Sequence, residues 1–163
     1  MHISKLLVQN FRNLDWFDFE PSPGINLIYG PNGSGKTSLL EAISYLSLGR
    51  SFRVSRFQNL IANGKSGFVV SARVVTEDNF ENTLGIARNR SRDHDLQISV
   101  NKQRVARLTD VVDHICVQVI HPQGIELITG APELRRQFLD WGVYYSNPGY
   151  KNIWSEYKRI LAQ

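Results

Sequence analysis

The sequence predicts an α/β fold: a strand–loop–helix unit beside an antiparallel sheet, followed by a helical segment. Three observations predict it. Residues 30–37 read Gly30-Pro31-Asn32-Gly33-Ser34-Gly35-Lys36-Thr37, with a short apolar run before them and a helical pattern after. Residues 67–106 read as successive strands with no helical spacing between them. From Pro132 onward, apolar residues recur at helical intervals.

The octapeptide is a complete G-x-x-x-x-G-K-[ST] loop, and each position has a physical task. Its glycines open backbone angles closed to other residues and remove the Cβ, so that successive N–H groups can curl around phosphate oxygens. Lys36 is placed to reach the β- and γ-phosphates as a point charge, and the Thr37 hydroxyl to ligate Mg²⁺. The helix that follows aims its free N–H groups and the positive end of its dipole at the same anion. A site for a nucleoside triphosphate is therefore expected at Gly30–Thr37, with Ser38 next in line.

The elements follow in order. Residues 3–9 and 14–19 are expected as two strands, joined to the loop by a turn at Pro21-Ser22-Pro23-Gly24. Residues 25–29, Ile-Asn-Leu-Ile-Tyr, are expected to form a buried strand leading into the loop. Leu39, Leu40, Ile43 and Leu46 are spaced as on a helix. Residues 49–64 are polar and basic without a clean period. Residues 67–75, 82–88 and 96–100 are strand-like, with a tight turn at Asn101-Lys102 into 104–106. A short helix is expected over 108–114, and a second buried central strand over 115–120. Helices are expected over 132–145 and after Asn147-Pro148, an asparagine cap with proline at the first position. Trp141 and Trp154 are expected in the core. The last helical pattern meets no stop signal before Gln163, which leads one to expect a chain cut within a helix.

The bulk properties exclude several classes. The 163 residues suffice for a domain with a real core. No apolar run approaches the ~20 residues of a membrane span. The N-terminus lacks a signal-peptide core, and one cysteine, Cys116, supports neither a disulfide framework nor a cysteine metal site. The four histidines show no metal-ligand spacing. A cytoplasmic protein with no membrane association is expected. The net charge of +4 equals the excess held by residues 88–107, where Arg88, Arg90, Arg92, Lys102, Arg104 and Arg107 face only Asp93 and Asp95. A solvated hairpin is the plain reading of that stretch; a surface for a nucleic-acid backbone is the sharper one.

A hydrolytic P-loop site also needs an acidic residue at the end of an apolar strand. Val111-Val112-Asp113 has too short an apolar run, and Phe138-Leu139-Asp140 falls in a helical pattern. Leu46-Ser47-Leu48-Gly49-Arg50 has the flavour of an ABC signature, but it lies at the wrong end of the P-loop helix. The chain thus carries half of a hydrolytic site.

Several stretches together resemble one family. Leu7-Val8-Gln9-Asn10-Phe11-Arg12-Asn13-Leu14 is similar to the opening of SMC-type and RecF-type ATPases. So is the form of the P-loop through Ile43. Gly49-Arg50-Ser51-Phe52-Arg53 and the stretch from Pro122 to Trp141, with its G-x-P-x-x-R-R-x-F-L-D pattern, narrow the resemblance to the RecF family. One departure is Gln123, which stands where that family usually has an acidic residue after the proline.

The resemblance implies an ABC-type head whose first lobe, residues 1–121, holds the P-loop and antiparallel strands. Residues 122–163 would begin a helical second lobe. It implies an ATP-dependent homodimer that binds single- and double-stranded DNA, hydrolyses ATP weakly, and works with RecR and RecO to load RecA in repair, recombination, replication and the SOS response to DNA damage. By analogy with SMC-type heads, Arg12 and Asn13 would approach the nucleotide. Arg53 is placed to contact phosphate, and Gln123 to sense Mg²⁺ and the γ-phosphate, with Gln118 as its competitor. Arg135 and Arg136 either pair with Asp140 or contact DNA. A small P-loop kinase with the arginines as lid would place them on a helical excursion, not among strands. An SMC-like structural head would need long heptad segments, and none begins before Gln163.

Overall fold

The computed structural model describes residues 1–90, 96–147 and 149–161. The chain falls into two compact units, Met1–Val119 and Ile120–Gln163.

The first unit is built on one sheet of six strands in the order β2-β1-β3-β4-β5-β6, with every neighbouring pair antiparallel. The strands are β1 (His2–Phe11), β2 (Leu14–Phe19), β3 (Gly67–Val75), β4 (Glu81–Asn89), β5 (Leu96–Val100) and β6 (Gln103–Val105). Alternation sets one buried face: Phe68, Val70, Ala72 and Val74 from β3 align with Leu84 and Ile86 from β4 and Ile98 from β5. The turn between β5 and β6 holds Asn101 and Lys102 at φ 51° and 66°, the left-handed pair that a two-residue hairpin loop requires.

Helix α1 (Lys36–Leu48) packs on this face and contributes Leu39, Ala42, Tyr45 and Leu46 to the core. Leu40, on the opposite side, is exposed. The helix stops at Gly49, whose φ of 61° places it in the left-handed region while its N–H bonds the Tyr45 carbonyl at 2.8 Å. Between α1 and β3, where no period is visible in the sequence, a 3-10 turn (Phe57–Leu60) brings Leu60 and Ile61 into the core. Helix α2 (Thr109–Val112) adds Val111, and Ser47 donates to the Ile115 carbonyl at 3.2 Å.

Two expected strands do not form. Residues 25–29 and 115–120 belong to no strand among the described residues. Ile25, Leu27 and Tyr29 are 98%, 84% and 86% exposed. The physical reason is partnership: an apolar run becomes a strand only when another strand takes its backbone groups, and no described strand lies beside either segment.

The second unit consists of a 3-10 turn (Pro122–Ile125), α3 (Glu126–Thr129), α4 (Pro132–Ser146) and α5 (Tyr150–Leu161). Pro132 opens α4 as expected, and Asn147 ends it; Pro148 lies outside the described residues. Trp141 and Trp154 are half-buried, not core. They pack instead against tyrosines, Trp141 on Tyr145 at 5.2 Å and Trp154 on Tyr150 at 6.1 Å between ring centroids. No described helix is long and apolar enough to cross a membrane.

Candidate functional site: the P-loop and its bracing

The loop before α1 is shaped by its glycines. Gly35 caps the helix at φ 98°, and a Cβ there would come within 2.7 Å of the Leu14 side chain. Any other residue would be strained at this angle, and the Leu14 side chain would have to shift. Gly33 sits at φ 83°. Lys36 Nζ donates to the carbonyls of Gly30 at 2.7 Å and Pro31 at 2.8 Å, which folds the lysine over the mouth of the loop. Thr37 is exposed at the first turn. The N–H groups of that turn have no intrahelical acceptor, so the loop presents donors, a cation and a dipole to one point.

Asn13 braces the loop. Its Nδ2 donates to the Gly33 carbonyl at 2.7 Å, and its Oδ1 accepts from the Ser38 hydroxyl at 2.7 Å. It stands in the β1–β2 turn, where Arg12 is held at φ 57° and its N–H bonds the Leu60 carbonyl at 2.6 Å. The Arg12 guanidinium grips Glu41 with Nε and Nη2, at 2.9 and 2.8 Å, and gives Nη1 to the Asn59 carbonyl at 2.9 Å. Arg53 lies 3.7 Å from the same carboxylate, and Ser51 donates to it. Beside this bracing opens a cleft of about 530 Å³ lined by Arg12, Asn13, Asp15, Ser38, Asn59, Ile61, Ala62 and Asn63.

The structure thus brings together Gly30–Ser38, Asn13, Arg12 and Arg53. Glu41 and Ser51, which join the two arginines, carry no signal as site residues in sequence alone. Glu41 does share a helical face with Ala42, Tyr45 and Leu46, and a carboxylate on an apolar face needs cations.

Other expected residues lie apart. Gln123 falls in the turn Pro122–Ile125; its side chain, like the whole of Arg92, is outside the described residues. Gln118 is exposed and bonds the adjacent Val119 carbonyl. Asp113 follows α2, and Asp140, in α4, accepts the Tyr150 hydroxyl at 2.5 Å. That bond holds the Tyr150 phenol above its ordinary pKa. Neither acid ends a strand.

The expected pairing of Arg135 and Arg136 with Asp140 does not occur. Arg135 caps α3 by donating to the carbonyls of Leu127, Ile128 and Gly130, and Arg136 pairs with Glu133. Asp140 is occupied by the tyrosine.

The described residues of the basic stretch do not close into one patch. Arg88 turns inward, with Nε on the Tyr45 hydroxyl at 3.2 Å and its guanidinium 4.7 Å from the centre of the Phe57 ring. The reason is parity: Arg88 shares the inward face of β4 with Leu84 and Ile86. Arg90 and Lys102 are exposed but stand at opposite ends of β4: Arg90 follows its last residue, and Lys102 lies in the β5–β6 turn beside its start, where the Asn101 N–H bonds the Thr83 carbonyl. Arg104 is opposite Ser99, on the face away from the core, and Arg107 is exposed before α2.

Three comparisons bear on this site. The pattern of the RecF/RecN/SMC N terminal domain matches residues 2–125. Over all 163 residues the chain is 40% identical to the DNA replication and repair protein RecF of Vibrio atlanticus (strain LGP32), covering 45% of that protein. It is 39% identical to the RecF of Aliivibrio fischeri (strain MJ11), again over 45% of its length. The chain therefore spans less than half the length of these relatives. Among solved structures it is similar to the recombination mediator protein RecF bound to ATP, of the RecFOR pathway. That match has a TM-score of 0.85 and 32% identity, and it covers 97% of this chain and 43% of the other.

Proposed function

This chain belongs to the RecF/RecN/SMC N-terminal domain family, and from that premise we propose that it is the nucleotide-binding part of a RecF-type, ATP-dependent DNA-repair protein. The observation that carries the reading is the braced P-loop: a cradle whose glycine carbonyl and first-turn serine are both tied to Asn13. The site fits a triphosphate. Its phosphates would lie along the N–H groups of 33–37, with the β- and γ-groups at Lys36. From the α-phosphate near Ser38, the ribose and base would run into the cleft lined by Arg12, Asn59 and Asn63. Among the described residues no three acids, histidines or cysteines gather to hold a metal. Mg²⁺ would arrive with the nucleotide and take the Thr37 hydroxyl. Arg53 would lend its charge from the rim.

In this reading residues 1–121 form the nucleotide-binding lobe of an ABC-type head and 122–163 begin the helical lobe. ATP closes two heads into a homodimer on single- and double-stranded DNA. RecR and RecO are the partners, RecA loading the outcome, and the cytoplasm the location. Hydrolysis is weak in the dimer, and residues 1–163 alone turn over negligibly, since neither candidate acid, Asp113 nor Asp140, ends a strand. The test is light scattering of the full-length protein: ATP should roughly double the mass, and an unchanged mass would refute the closing role.

DNA contact is assigned, each unit by itself, to Arg90, Lys102, Arg104 and Arg107 of the first and to Arg135 and Arg136 of the second, all exposed among the described residues. Arg88 is committed inside its own unit, whereas Arg135 gives only Nη1 to the carbonyls that end α3. Lys102→Glu with Arg104→Glu should weaken binding to gapped duplex, and should lower the slope of log K against log salt by about one per lost phosphate contact. Equal affinity and slope would remove this edge from the interface. The edge strand β6 would then owe its charges only to protection from stray pairing.

A further inference from the structure

The Glu41 side chain is 0% exposed, inside α1 one turn beyond Thr37. A carboxylate taken wholly from water costs several kcal/mol unless it is paired and hydrogen-bonded. Here it is surrounded. Arg12 meets both oxygens as a fork, the Ser51 hydroxyl donates to Oε1, and Arg53 stands 3.7 Å from Oε2. The Ser51 hydroxyl oxygen in turn accepts the N–H groups of Arg53 and Val54, at 2.9 and 3.0 Å. Three separate segments are thereby tied to one point on the helix that carries Lys36 and Thr37: the β1–β2 turn, the loop after Gly49, and the Asn59 carbonyl through Arg12.

The turn has reason to be tied. Arg12 occupies the left-handed region at φ 57°, a conformation that a non-glycine residue keeps only when its surroundings hold it. The next residue is Asn13, whose amide fastens the Gly33 carbonyl and the Ser38 hydroxyl. The contacts run without a gap from Glu41 through Arg12 and Asn13 to the P-loop.

We propose that Glu41 is the positioning residue of the nucleotide site. Through its fork with Arg12 it sets the 12–13 turn, and so the Asn13 amide that holds the loop in its phosphate-ready shape. Glu41 itself touches no ligand. The proposal rests on reading the loop as an ATP site. Its distinctive feature is charge: a glutamine would fill the same space but break one arm of the fork. It would also leave Arg12 and Arg53 facing each other without a shared anion.

The test is calorimetric titration of ATP with Mg²⁺ into the wild type, Glu41→Gln, Asn13→Ala, the double variant, and Lys36→Ala as the control for the site. Glu41→Gln should bind ATP about tenfold more weakly, and Asn13→Ala comparably. The double variant should be no more than about twofold weaker than the weaker single, because the two act through one chain of contacts. A purely structural role would lower the melting temperature without that non-additivity. Glu41→Gln binding as well as wild type, or losses that multiply in the double variant, would overturn the positioning role. Should circular dichroism show Glu41→Gln unfolded, Arg12→Lys replaces it under the same criteria, since it keeps the ion pair but not the fork. A wild type that binds no ATP ends both readings. Binding that Lys36→Ala removes but Glu41→Gln leaves intact ends only this one.

Discussion

Lys36→Ala is expected to reduce ATP affinity by at least about a hundredfold while leaving the melting temperature nearly unchanged. The geometry gives the reason. An ammonium has three donors and no acceptor. Two are committed to the carbonyls of Gly30 and Pro31, at 2.7 and 2.8 Å, which aims the third into the loop. A charge-assisted hydrogen bond to phosphate contributes about 1.5–3 kcal/mol, and exchanging the loop carbonyls for the β- and γ-phosphates gives the ammonium two such bonds, so its loss amounts to two decades or more. The loop carbonyls it leaves are exposed and pass to water, so stability should change by no more than about 0.5 kcal/mol. Calorimetric titration with ATP and Mg²⁺, beside a thermal melt, measures both. Affinity within about fivefold of wild type would mean that the loop binds phosphate by its backbone alone, and that the lysine has another task.

The loop was legible in the sequence because its chemistry is local. Eight consecutive residues specify the glycine angles, the cation and the hydroxyl. The antiparallel strands were legible for a related reason: period-two alternation over 67–75 and 96–100 is a property of each segment alone, and β3 and β5 occupy those spans. Residues 25–29 and 115–120 mark the limit. Their composition suits a sheet interior, but a strand also needs a neighbour, and neighbours are not written in the segment itself.

The bracing of the site shows the same limit from another side. Arg12 and Asn13 are adjacent, yet one turns to α1 and the other to the P-loop, and only the left-handed turn tells them apart. Arg88 and Glu41 lie on core-facing positions of their elements, and the periods of β4 and α1 contain that information. What the periods lack is the partner. Tyr45 and Phe57 receive the arginine, and Arg12 and Arg53 receive the acid. Arg135 is the counterpart in the second unit: a basic residue in a motif whose Nη1 turns to the carbonyls ending α3.

Phe68→Ala should cost the first unit about 3–5 kcal/mol, a large part of the 5–15 kcal/mol that stabilises a typical domain. Phe68 is 1% exposed and meets two other buried rings edge-on: Phe11 at 5.0 Å and 87°, and Tyr45 at 5.2 Å and 84°. Phe11 and Tyr45 close the triangle at 6.2 Å. Burial pushes the Tyr45 phenol above its ordinary pKa, and Arg88 opposes the shift. Each ring belongs to a different element, so the trio joins β1, α1 and β3 at one point. Alanine at 68 leaves a cavity between three elements that are braced elsewhere and cannot all collapse into it. Urea unfolding followed by circular dichroism should show the loss, whereas Phe80→Ala, at a site 70% exposed, should move the midpoint little. The effect should also reach the nucleotide. Phe11 immediately precedes Arg12, so the ring that packs on Phe68 anchors the turn that holds Asn13 against Gly33. At a temperature where both variants remain folded, Phe68→Ala should therefore bind ATP more weakly than Phe80→Ala. Equal affinities would show that the turn is held by Glu41 and the Leu60 carbonyl without help from the core.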